Sequence, residues 1–358
     1  MSDLKKIKCK KYDIIVGEDS FENLEKYINF HKYSKLILIS EERIYNLWQD
    51  KITRVLKDVN KILFPNGETV KSINTTEYIC KKLVEVGADR KSLIINIGGG
   101  MITDLGGFCA SIYMRGIDYI NIPTSLLAMV DASIGGKNGV NIENIKNIVG
   151  CFNEPKLVLI DVSFLKTLPS RELKSAYGEI VKHAIIFDKN YFNLLTRCTD
   201  NFDKKMLLEI ILHSLKIKKY FVEKDLKEKG LRKILNFGHT IGHGIEAIGF
   251  NLAEPFLHGE AVLLGMFFET KIAEKKMILL KNDVANIYQC LKKYGVGELL
   301  KVLKNNKEIF KIDSLLSVIQ KDKKNQNGAI KMVLPVKIGK CKYDVLITEK
   351  EIKECLNF

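Results

Sequence analysis

The sequence lacks any apolar run long enough to cross a membrane. No stretch approaches the ~18 to 20 consecutive apolar residues that a spanning helix requires. Its first residues, MSDLKKIKCKKYD, contain lysines but not the apolar core of a signal peptide. We therefore expect a cytoplasmic protein that does not associate with a membrane.

The sequence also lacks C-x-x-C pairs, although it contains eight cysteines. This absence argues against a zinc ribbon or a dithiol redox site. Because the cysteines are scattered, we expect them to be reduced and mostly buried thiols.

A third absence concerns nucleic-acid binding. The net charge of +14 comes mainly from lysine, without the interleaved arginines and aromatic residues of DNA- and RNA-binding proteins. The charge is compatible with a nucleic-acid surface, which would bind with a steep dependence on salt, or with an anionic small substrate. We expect no nucleic-acid partner. Many of the lysines are expected to be solvated surface residues without a specific ligand.

The order of apolar runs predicts two domains. Short apolar runs that resemble strands occur at residues 36–40, 62–64, 93–97, 120–123 and 157–161. Helical periodicity lies between the first of them, near residues 43–59 and 76–86, which is typical of a parallel sheet with crossing helices. Beyond residue 165 helical periodicity dominates until a strand-like run at 331–338. We predict an α/β domain over 1–165 and an all-α domain over 166–358, with the active site in the cleft between them.

A glycine turn follows one of the predicted strands. Gly98, Gly99 and Gly100 precede a helical pattern, so backbone N–H groups there could approach a pyrophosphate at a helix N-terminus. The spacing is not G-x-G-x-x-G, and a tight turn explains it equally well. Thr124 and Ser125 follow another strand, where they would contact a ribose or phosphate or cap a helix.

Polar side chains recur at helical spacing in the second half. With spacings of four, three, four and three, one face of a predicted helix over 231–246 carries Arg232, Asn236, His239, His243 and Glu246. Both histidines could bind one metal, or one could bind it while the other moves protons. The spacing does not choose between them.

Two further segments extend this pattern. Glu179 and Lys182 lie one turn apart on a predicted helix, either as site residues or as a surface ion pair, and His258 precedes an apolar helix. One carboxylate with two imidazoles is a common three-ligand zinc set that leaves a position open for substrate.

Cations lie among glycines and amides in the first half. Arg115, Lys137 and Lys146 are close in sequence to Gly116, Gly135, Gly136 and Asn147. Flexible backbone and charge-assisted hydrogen bonds suit phosphate and carboxylate recognition.

Five segments together resemble one family, the dehydroquinate synthases: GGGMITDLGGF, IPTSLLAMVDASIGGKNGVN, YGEIVKHAI, LRKILNFGHTIGHGIEA and LHGEAVLLGM. The similarity runs in order from about Asn66 to Lys324. The resemblance implies an N-terminal NAD-binding α/β domain, a C-terminal helical metal-binding domain, and a homodimer.

The resemblance also implies roles for individual residues. The metal, normally zinc and possibly cobalt, would be held by Glu179, His239 and His258. The residues of catalysis would be His243, Lys182, Lys137, Asn236 and Glu260. Those that bind substrate would be Arg115, Asp131, Lys146, Asn147, Lys218, Arg232 and Lys324, with Arg115 reaching across the dimer interface. Those that bind NAD would be Glu68, Lys71, Gly98, Gly99, Gly100, Asp104, Thr124, Ser125, Lys137 and Lys146.

The reaction that this resemblance implies acts on a phosphorylated keto acid, 3-deoxy-D-arabino-heptulosonate 7-phosphate. Transient oxidation by NAD, loss of phosphate, re-reduction and aldol closure would give 3-dehydroquinate. Two alternatives share the fold: another sugar phosphate cyclase, or a metal-dependent alcohol or glycerol phosphate dehydrogenase, which would release NADH.

Overall fold

The structure, a computed structural model, describes residues 4–142, 145–198, 204–320 and 330–356. The chain divides into two compact units, Met1–Pro169 and Ser170–Phe358. The boundary predicted at residue 165 falls inside a short 3-10 helix, Val162–Thr167, near the end of the first unit. Among the residues that the structure describes, no helix is both long and apolar enough to cross a membrane.

The first unit is built on a seven-stranded sheet. Its strands are β1 (Lys5–Lys8), β2 (Asp13–Gly17), β3 (Leu36–Glu41), β4 (Asn60–Phe64), β5 (Leu93–Gly98) and β6 (Asp118–Pro123), with β9 (Leu157–Asp161). The order is β1-β2-β9-β6-β5-β3-β4, and only the β1–β2 pairing is antiparallel. The predicted parallel sheet is confirmed, and all residues of β5 and β9 are buried, as expected for strands covered on both faces.

Three α-helices and a hairpin, together with short 3-10 and π-helical turns, complete the described part of the first unit. The helices are α1 (Glu42–Val55), α2 (Ile73–Glu85) and α3 (Gly100–Ile112), and the hairpin strands are β7 (Lys137–Ile142) and β8 (Ile145–Phe152). Ser72 caps α2 by accepting a hydrogen bond from Thr75 N at 3.2 Å. A Cβ on Gly106 of α3 would lie 1.8 Å from Asn96 Oδ1, so glycine lets α3 pack closely against β5.

The second unit is predominantly helical. Its helices are α4 (Ser170–Ser175), α5 (Tyr177–Phe187), α6 (Lys189–Arg197), α7 (Lys204–Lys224), α8 (His239–Gly249), α9 (His258–Lys275), α10 (Lys281–Lys293), α11 (Val296–Asn305), α12 (Ile312–Gln320) and α13 (Glu349–Cys355). The expectation of an all-α domain requires one addition, an antiparallel hairpin of β10 (Ile330–Lys337) and β11 (Lys340–Ile347). This hairpin contains the strand-like run predicted at 331–338.

The continuous helix predicted over 231–246 is wrong. Leu231–Asn236 forms a 3-10 helix, and α8 begins only at His239. Gly238 separates them with a φ of 81°, in the left-handed region that glycine adopts readily. A Cβ at Gly238 would lie 2.5 Å from Met266 Cγ, so close packing on α9 also favours glycine there.

Candidate functional site

Three side chains that can bind a metal converge in the second unit, each from the first turn of a helix. Glu179 lies in the first turn of α5, His239 begins α8 and His258 begins α9. One ligand atom from each lies within 4.8 Å of the others. Glu179 Oε1 is 3.3 Å from His239 Nε2 and 3.2 Å from His258 Nε2.

The other ring nitrogen of each histidine is held by an oxygen acceptor. His239 Nδ1 donates to the Phe237 carbonyl at 3.2 Å, and His258 Nδ1 donates to Glu246 Oε2 at 3.3 Å. Such contacts orient the rings and leave both Nε2 atoms directed at Glu179. One carboxylate and two oriented imidazoles fit a divalent metal such as zinc. His243, Glu246 and His258 form an alternative group within the same distance, but Glu246 there meets the Nδ1 side of His258, as an outer partner does.

Glycines allow the helix starts to meet. A Cβ on Gly178 would lie 2.1 Å from the Gly259 carbonyl oxygen, and one on Gly259 would lie 1.7 Å from the Ser175 carbonyl oxygen. Backbone therefore packs on backbone where α5 meets α9. This contact places Glu179 beside His258.

The charged groups of this cluster shift the pKa values of one another. Lys182, 2% exposed, forms an ion pair with Glu179, which is fully buried, so the pair is not the surface bridge that the sequence left open. Burial alone would raise the pKa of Glu179, but Lys182 and His239 hold it well below its ordinary value. Burial and the charge of Lys182 lower the pKa of His239 to about 3, which leaves a neutral imidazole. Burial opposes protonation of His258 as well, yet Glu246 and Glu179 raise its pKa to about 10.

Several predicted substrate-binding residues are also buried in this unit. Lys218 is 5% exposed, and Arg232, 1% exposed, donates to the Leu226 carbonyl at 2.6 Å. Asn236 donates to Glu228, which the sequence analysis missed. Glu228 has a φ of 55° in the turn that precedes Arg232. The polar turn before the 3-10 helix was the signal that could have found it.

Glu260 and His243, which were predicted to act in catalysis, lie in surroundings that differ from each other. Glu260 forms two hydrogen bonds with Arg171, at 2.9 and 2.8 Å, and caps α9 by accepting from Leu257 N at 2.8 Å. These are contacts of a residue that fixes a helix start. The His243 ring lies 5.1 Å from that of His239, between centroids. Lys324 lies outside the described residues.

In the first unit, the three-glycine turn joins β5 to α3. Gly98 ends the strand, Gly99 is the residue before α3, and Gly100 is its first residue, so the predicted strand–turn–helix arrangement is present. Thr124 N donates to the Gly98 carbonyl at 2.9 Å. Ser125 Oγ accepts from Ala128 N at 3.3 Å, as a helix cap does. These contacts bring the two predicted hydroxyls to the same edge as the glycines.

A buried lysine links three segments of the first unit. Lys71 Nζ lies 2.7 Å from Asp104 Oδ2 on α3 and 2.6 Å from Asn147 Oδ1 on β8. Only 5% of Lys71 is exposed. Glu68 begins the short 3-10 helix Glu68–Val70 just before it. The structure thus joins Asp104 and Lys71, which the family resemblance assigned to NAD, with Asn147, which it assigned to substrate.

The remaining predicted anion-binding residues lie on the surface or near it. Arg115, Lys137 and Lys146 are exposed, whereas Asp131 is half-buried. Arg115 has a φ of 67° at the end of a 3-10 turn that follows α3. Lys137 begins β7, where it pairs with Phe152 of β8.

Comparison with known proteins covers both units. Residues 61–175 match the family model described as 3-dehydroquinate synthase N-terminal, and residues 176–325 match 3-dehydroquinate synthase C-terminal. The 3-dehydroquinate synthase of Dictyoglomus thermophilum is 42% identical over 355 residues, which cover 98% of this chain and 96% of that protein.

Two solved structures have the same fold over nearly their whole length. A 2-deoxy-scyllo-inosose synthase complexed with carbaglucose-6-phosphate, NAD+ and Co2+ matches with a TM-score of 0.85 at 26% identity, covering 98% of each chain. The 2-epi-5-epi-valiolone synthase of Streptomyces hygroscopicus subsp. jinggangensis 5008, with NAD+ and Zn2+ bound, matches with a TM-score of 0.83 at 26% identity, covering 99% of this chain and 98% of that one. The two family-model matches and the 42% identity to the Dictyoglomus thermophilum protein show that the chain belongs to the 3-dehydroquinate synthase family.

Proposed function

We propose that this protein is a 3-dehydroquinate synthase that converts 3-deoxy-D-arabino-heptulosonate 7-phosphate into 3-dehydroquinate and phosphate with NAD and a divalent metal. The observation that carries the proposal is the convergence of fully buried Glu179 with His239 and the partly exposed His258, the Nδ1 atom of each histidine being held by an oxygen, in a chain of this family. The two cyclase structures described above hold NAD+ together with Co2+ or Zn2+. This places the protein in the shikimate pathway of aromatic amino acid biosynthesis.

The second unit supplies the groups nearest to the reacting carbons. Glu179, His239 and His258 hold the metal. When bound, the metal would lower the pKa of a substrate hydroxyl, and NAD would accept and return a hydride. Buried Lys182 offsets the charge of Glu179 and stabilises negative charge on substrate oxygens. His243, adjacent to His239, moves a proton.

The substrate has two anionic ends, and each needs cations. We assign the carboxylate to Arg232, Lys218 and Lys324, and orientation of a hydroxyl to Asn236 with Glu228. We assign the phosphate to Arg115, Lys146 and Asn147, with Lys137 and Asp131. Glu260 then acts indirectly, because its bonds to Arg171 and Leu257 fix the start of α9, where His258 lies.

The first unit binds NAD at the edge where β5 ends. Backbone N–H groups of Gly99 and Gly100 would hold the pyrophosphate at the start of α3, where the helix dipole favours an anion. Lys71 and Asp104 form a preorganised pair beside it. The other cofactor contacts are Glu68, Gly98, Thr124, Ser125, Lys137 and Lys146.

We further propose that the protein is a homodimer joined through its first unit. Large apolar side chains are exposed there on the end of α3 and on the β7–β8 hairpin: Ile112, Met114, Ile142, Ile148 and Phe152. Exposed apolar residues of this number favour a protein partner. Ile148→Asp should shift the mass measured by light scattering from dimer to monomer, whereas Val84→Asp, on exposed α2, should not. A monomeric wild-type protein would contradict the proposal.

We also propose that the protein acts in the cytoplasm. All eight cysteines, each among the described residues, are free thiols, which fits a reducing compartment. Fractionation of cells with an antibody against the protein tests this placement, and recovery in a membrane or secreted fraction would contradict it.

Turnover assays test the proposed reaction. Purified protein with NAD, zinc and the heptulosonate phosphate should release inorganic phosphate without net formation of NADH. Accumulation of NADH would instead indicate a dehydrogenase. Turnover of a neutral sugar phosphate, with none of the keto acid, would indicate another cyclase.

Metal content tests the ligand assignment separately. His239→Ala should remove the metal and the activity, because two ligands do not hold zinc tightly. His31→Ala changes an exposed histidine of the first unit and is the matched control. Metal retained in His239→Ala at the wild-type stoichiometry would contradict the assignment.

A further inference from the structure

A buried carboxylate on α9 that none of the assigned roles uses lies behind the metal-binding group. Glu269 is completely buried. Its Oε2 accepts a hydrogen bond from Gly238 N at 2.6 Å, and its Oε1 accepts one from Ile241 N at 3.2 Å. Both donors belong to the start of α8, so Glu269 of one ligand-bearing helix caps the other.

Glycine allows this close contact between α8 and α9. A Cβ on Gly265 would lie 1.8 Å from the Gly238 carbonyl oxygen, and one on Gly242 would lie 2.8 Å from the Ala261 carbonyl oxygen. Backbone again meets backbone, which brings the N-terminus of α8 within reach of a short carboxylate. The glycines permit the approach, but they do not fix the orientation of any peptide group.

That orientation matters at a single peptide bond, between Phe237 and Gly238. Its N–H donates to Glu269, and its carbonyl oxygen accepts from His239 Nδ1 at 3.2 Å. In a trans peptide the N–H and C=O groups point in opposite directions. Glu269 and His239 therefore hold opposite sides of one peptide plane. Because a carbonyl oxygen can only accept, His239 must carry its proton on Nδ1, which leaves Nε2 to face Glu179.

We propose that Glu269 is a positioning residue for the metal site, acting through the Phe237–Gly238 peptide to fix the ring orientation and tautomer of His239. The proposal rests on the proposed metal ligation by Glu179, His239 and His258. The carboxylate polarises the peptide, so the carbonyl becomes a stronger acceptor for the Nδ1 proton. His258 contacts the carboxylate of Glu246 directly. His239 is linked to the carboxylate of Glu269 in the same way, but through the intervening Phe237–Gly238 peptide.

Cobalt binding to the apo protein tests the proposal without turnover. Removing an outer partner of a metal-binding histidine costs roughly 10- to 100-fold in metal affinity, so Glu269→Ala should weaken Co2+ binding by about tenfold, measured by competition with a chelator. The visible absorption bands of bound Co2+ should also shift, because the ring of His239 is no longer held. Glu269→Gln keeps one acceptor oxygen and should restore part of the affinity.

Ile272→Ala is the control for a loss of stability alone. Ile272 is completely buried on the same helix but makes no contact of this kind, so its truncation creates a cavity and lowers the melting temperature. It should leave Co2+ affinity and the absorption bands unchanged. Equal losses in Ile272→Ala and Glu269→Ala would overturn the proposal, as would wild-type affinity and bands in both Glu269 variants.

His239→Ala separates this inference from the ligand assignment beneath it. If His239→Ala loses Co2+ and the Glu269 variants do not, the ligand set stands and the role of Glu269 is wrong. If His239→Ala keeps Co2+ at wild-type affinity, the ligand set itself is wrong and the positioning role falls with it.

Discussion

The two units prepare their sites with different parts of the chain. In the first unit the main groups of the proposed site are backbone amides at Gly99 and Gly100, supported by the buried link from Lys71 to Asp104. In the second unit the proposed groups are side chains, since Glu179 and Lys182 are buried next to His239 and the partly exposed His258.

This difference has an energetic consequence. Backbone groups at a helix start carry partial charges and need only the correct conformation to bind an anion. Buried side-chain charges are costly to desolvate and must be compensated by one another, and finally by the metal. The second unit should therefore be the more sensitive of the two to changes of charge.

The largest expected effect comes from Glu179→Gln. It leaves the ammonium of Lys182 buried beside a neutral amide, and breaking a buried pair costs about 3 to 5 kcal/mol of the free energy of unfolding. Urea unfolding of the apo protein measures it. The matched control is Glu85→Gln, which removes the partner of Lys82 in an exposed pair of the same spacing on α2 and should cause no measurable change. Equal losses in the two variants would show that buried charge is not the more sensitive feature.

A smaller loss is expected for Lys71→Met. The change removes the ammonium partner of Asp104, but Asp104 is 18% exposed and can regain contact with water, so the loss should be roughly 1.5 to 3 kcal/mol, about the contribution of one hydrogen bond to a charged group. NAD affinity should fall as well, which calorimetric titration measures. Lys81→Met on exposed α2 is the control. If Lys71→Met destabilises the protein as much as Glu179→Gln does, then the first unit is as sensitive to the loss of a buried charge as the second unit is.

The fold was predictable where a helical pattern runs over many residues or where a strand is buried on both faces. The strands β3, β5 and β9 are apolar runs because both faces of the sheet are covered, and each was predicted within one residue of its position. The edge strand β1 and its neighbour β2 were missed. Lys5–Lys8 has little apolar signal, and its pairing with β2 depends on distant residues rather than on its own sequence.

The site was predictable in its residue types but not in its geometry. The spacing of His239 and His243 indicated a shared helix face, and both do lie on α8. It could not show that the helix begins at His239, because Gly238 was interpreted as a residue inside a helix. The capping role of Glu260 depends on Arg171, which is 89 residues away in the chain. The resemblance supplied ligand identities that local spacing left open.

Glycine substitutions compare close packing in the two units. In Gly259→Ala the new Cβ would lie 1.7 Å from a backbone oxygen of Ser175, and overpacking of this kind costs about 1 to 3 kcal/mol. In Gly106→Ala the obstacle is the Asn96 side chain, at 1.8 Å, which can rotate, so the loss should be smaller. Gly297→Ala in α11 meets nothing within 4 Å and should stabilise the protein by about 0.5 to 1 kcal/mol. Thermal unfolding ranks the three, and the reverse order for Gly259 and Gly106 would contradict the argument.

The smallest effect is expected at a turn of the second unit in which a carboxylate accepts hydrogen bonds from backbone N–H groups. Asp225 accepts hydrogen bonds from Gly230 N at 2.7 Å and Arg232 N at 3.1 Å, shaping the turn that carries Glu228. Burial alone would raise the pKa of Asp225, but these bonds lower it below its ordinary value. Asp225→Asn should cost about 1 kcal/mol at neutral pH, allowing for partial exposure.

The pH dependence of this loss distinguishes charge from shape. Because the pKa of Asp225 is lower in the folded state, its contribution is fully present above the unfolded value of about 4 and is lost as pH falls through the folded pKa. The difference in unfolding free energy between wild type and Asp225→Asn should therefore shrink as pH falls from 7 to 3, measured in urea. A difference that stays constant with pH would mean that the turn depends on the shape of the Asp225 side chain and not on its charge. The sensitivity of the second unit to charge would then be assigned to its buried groups.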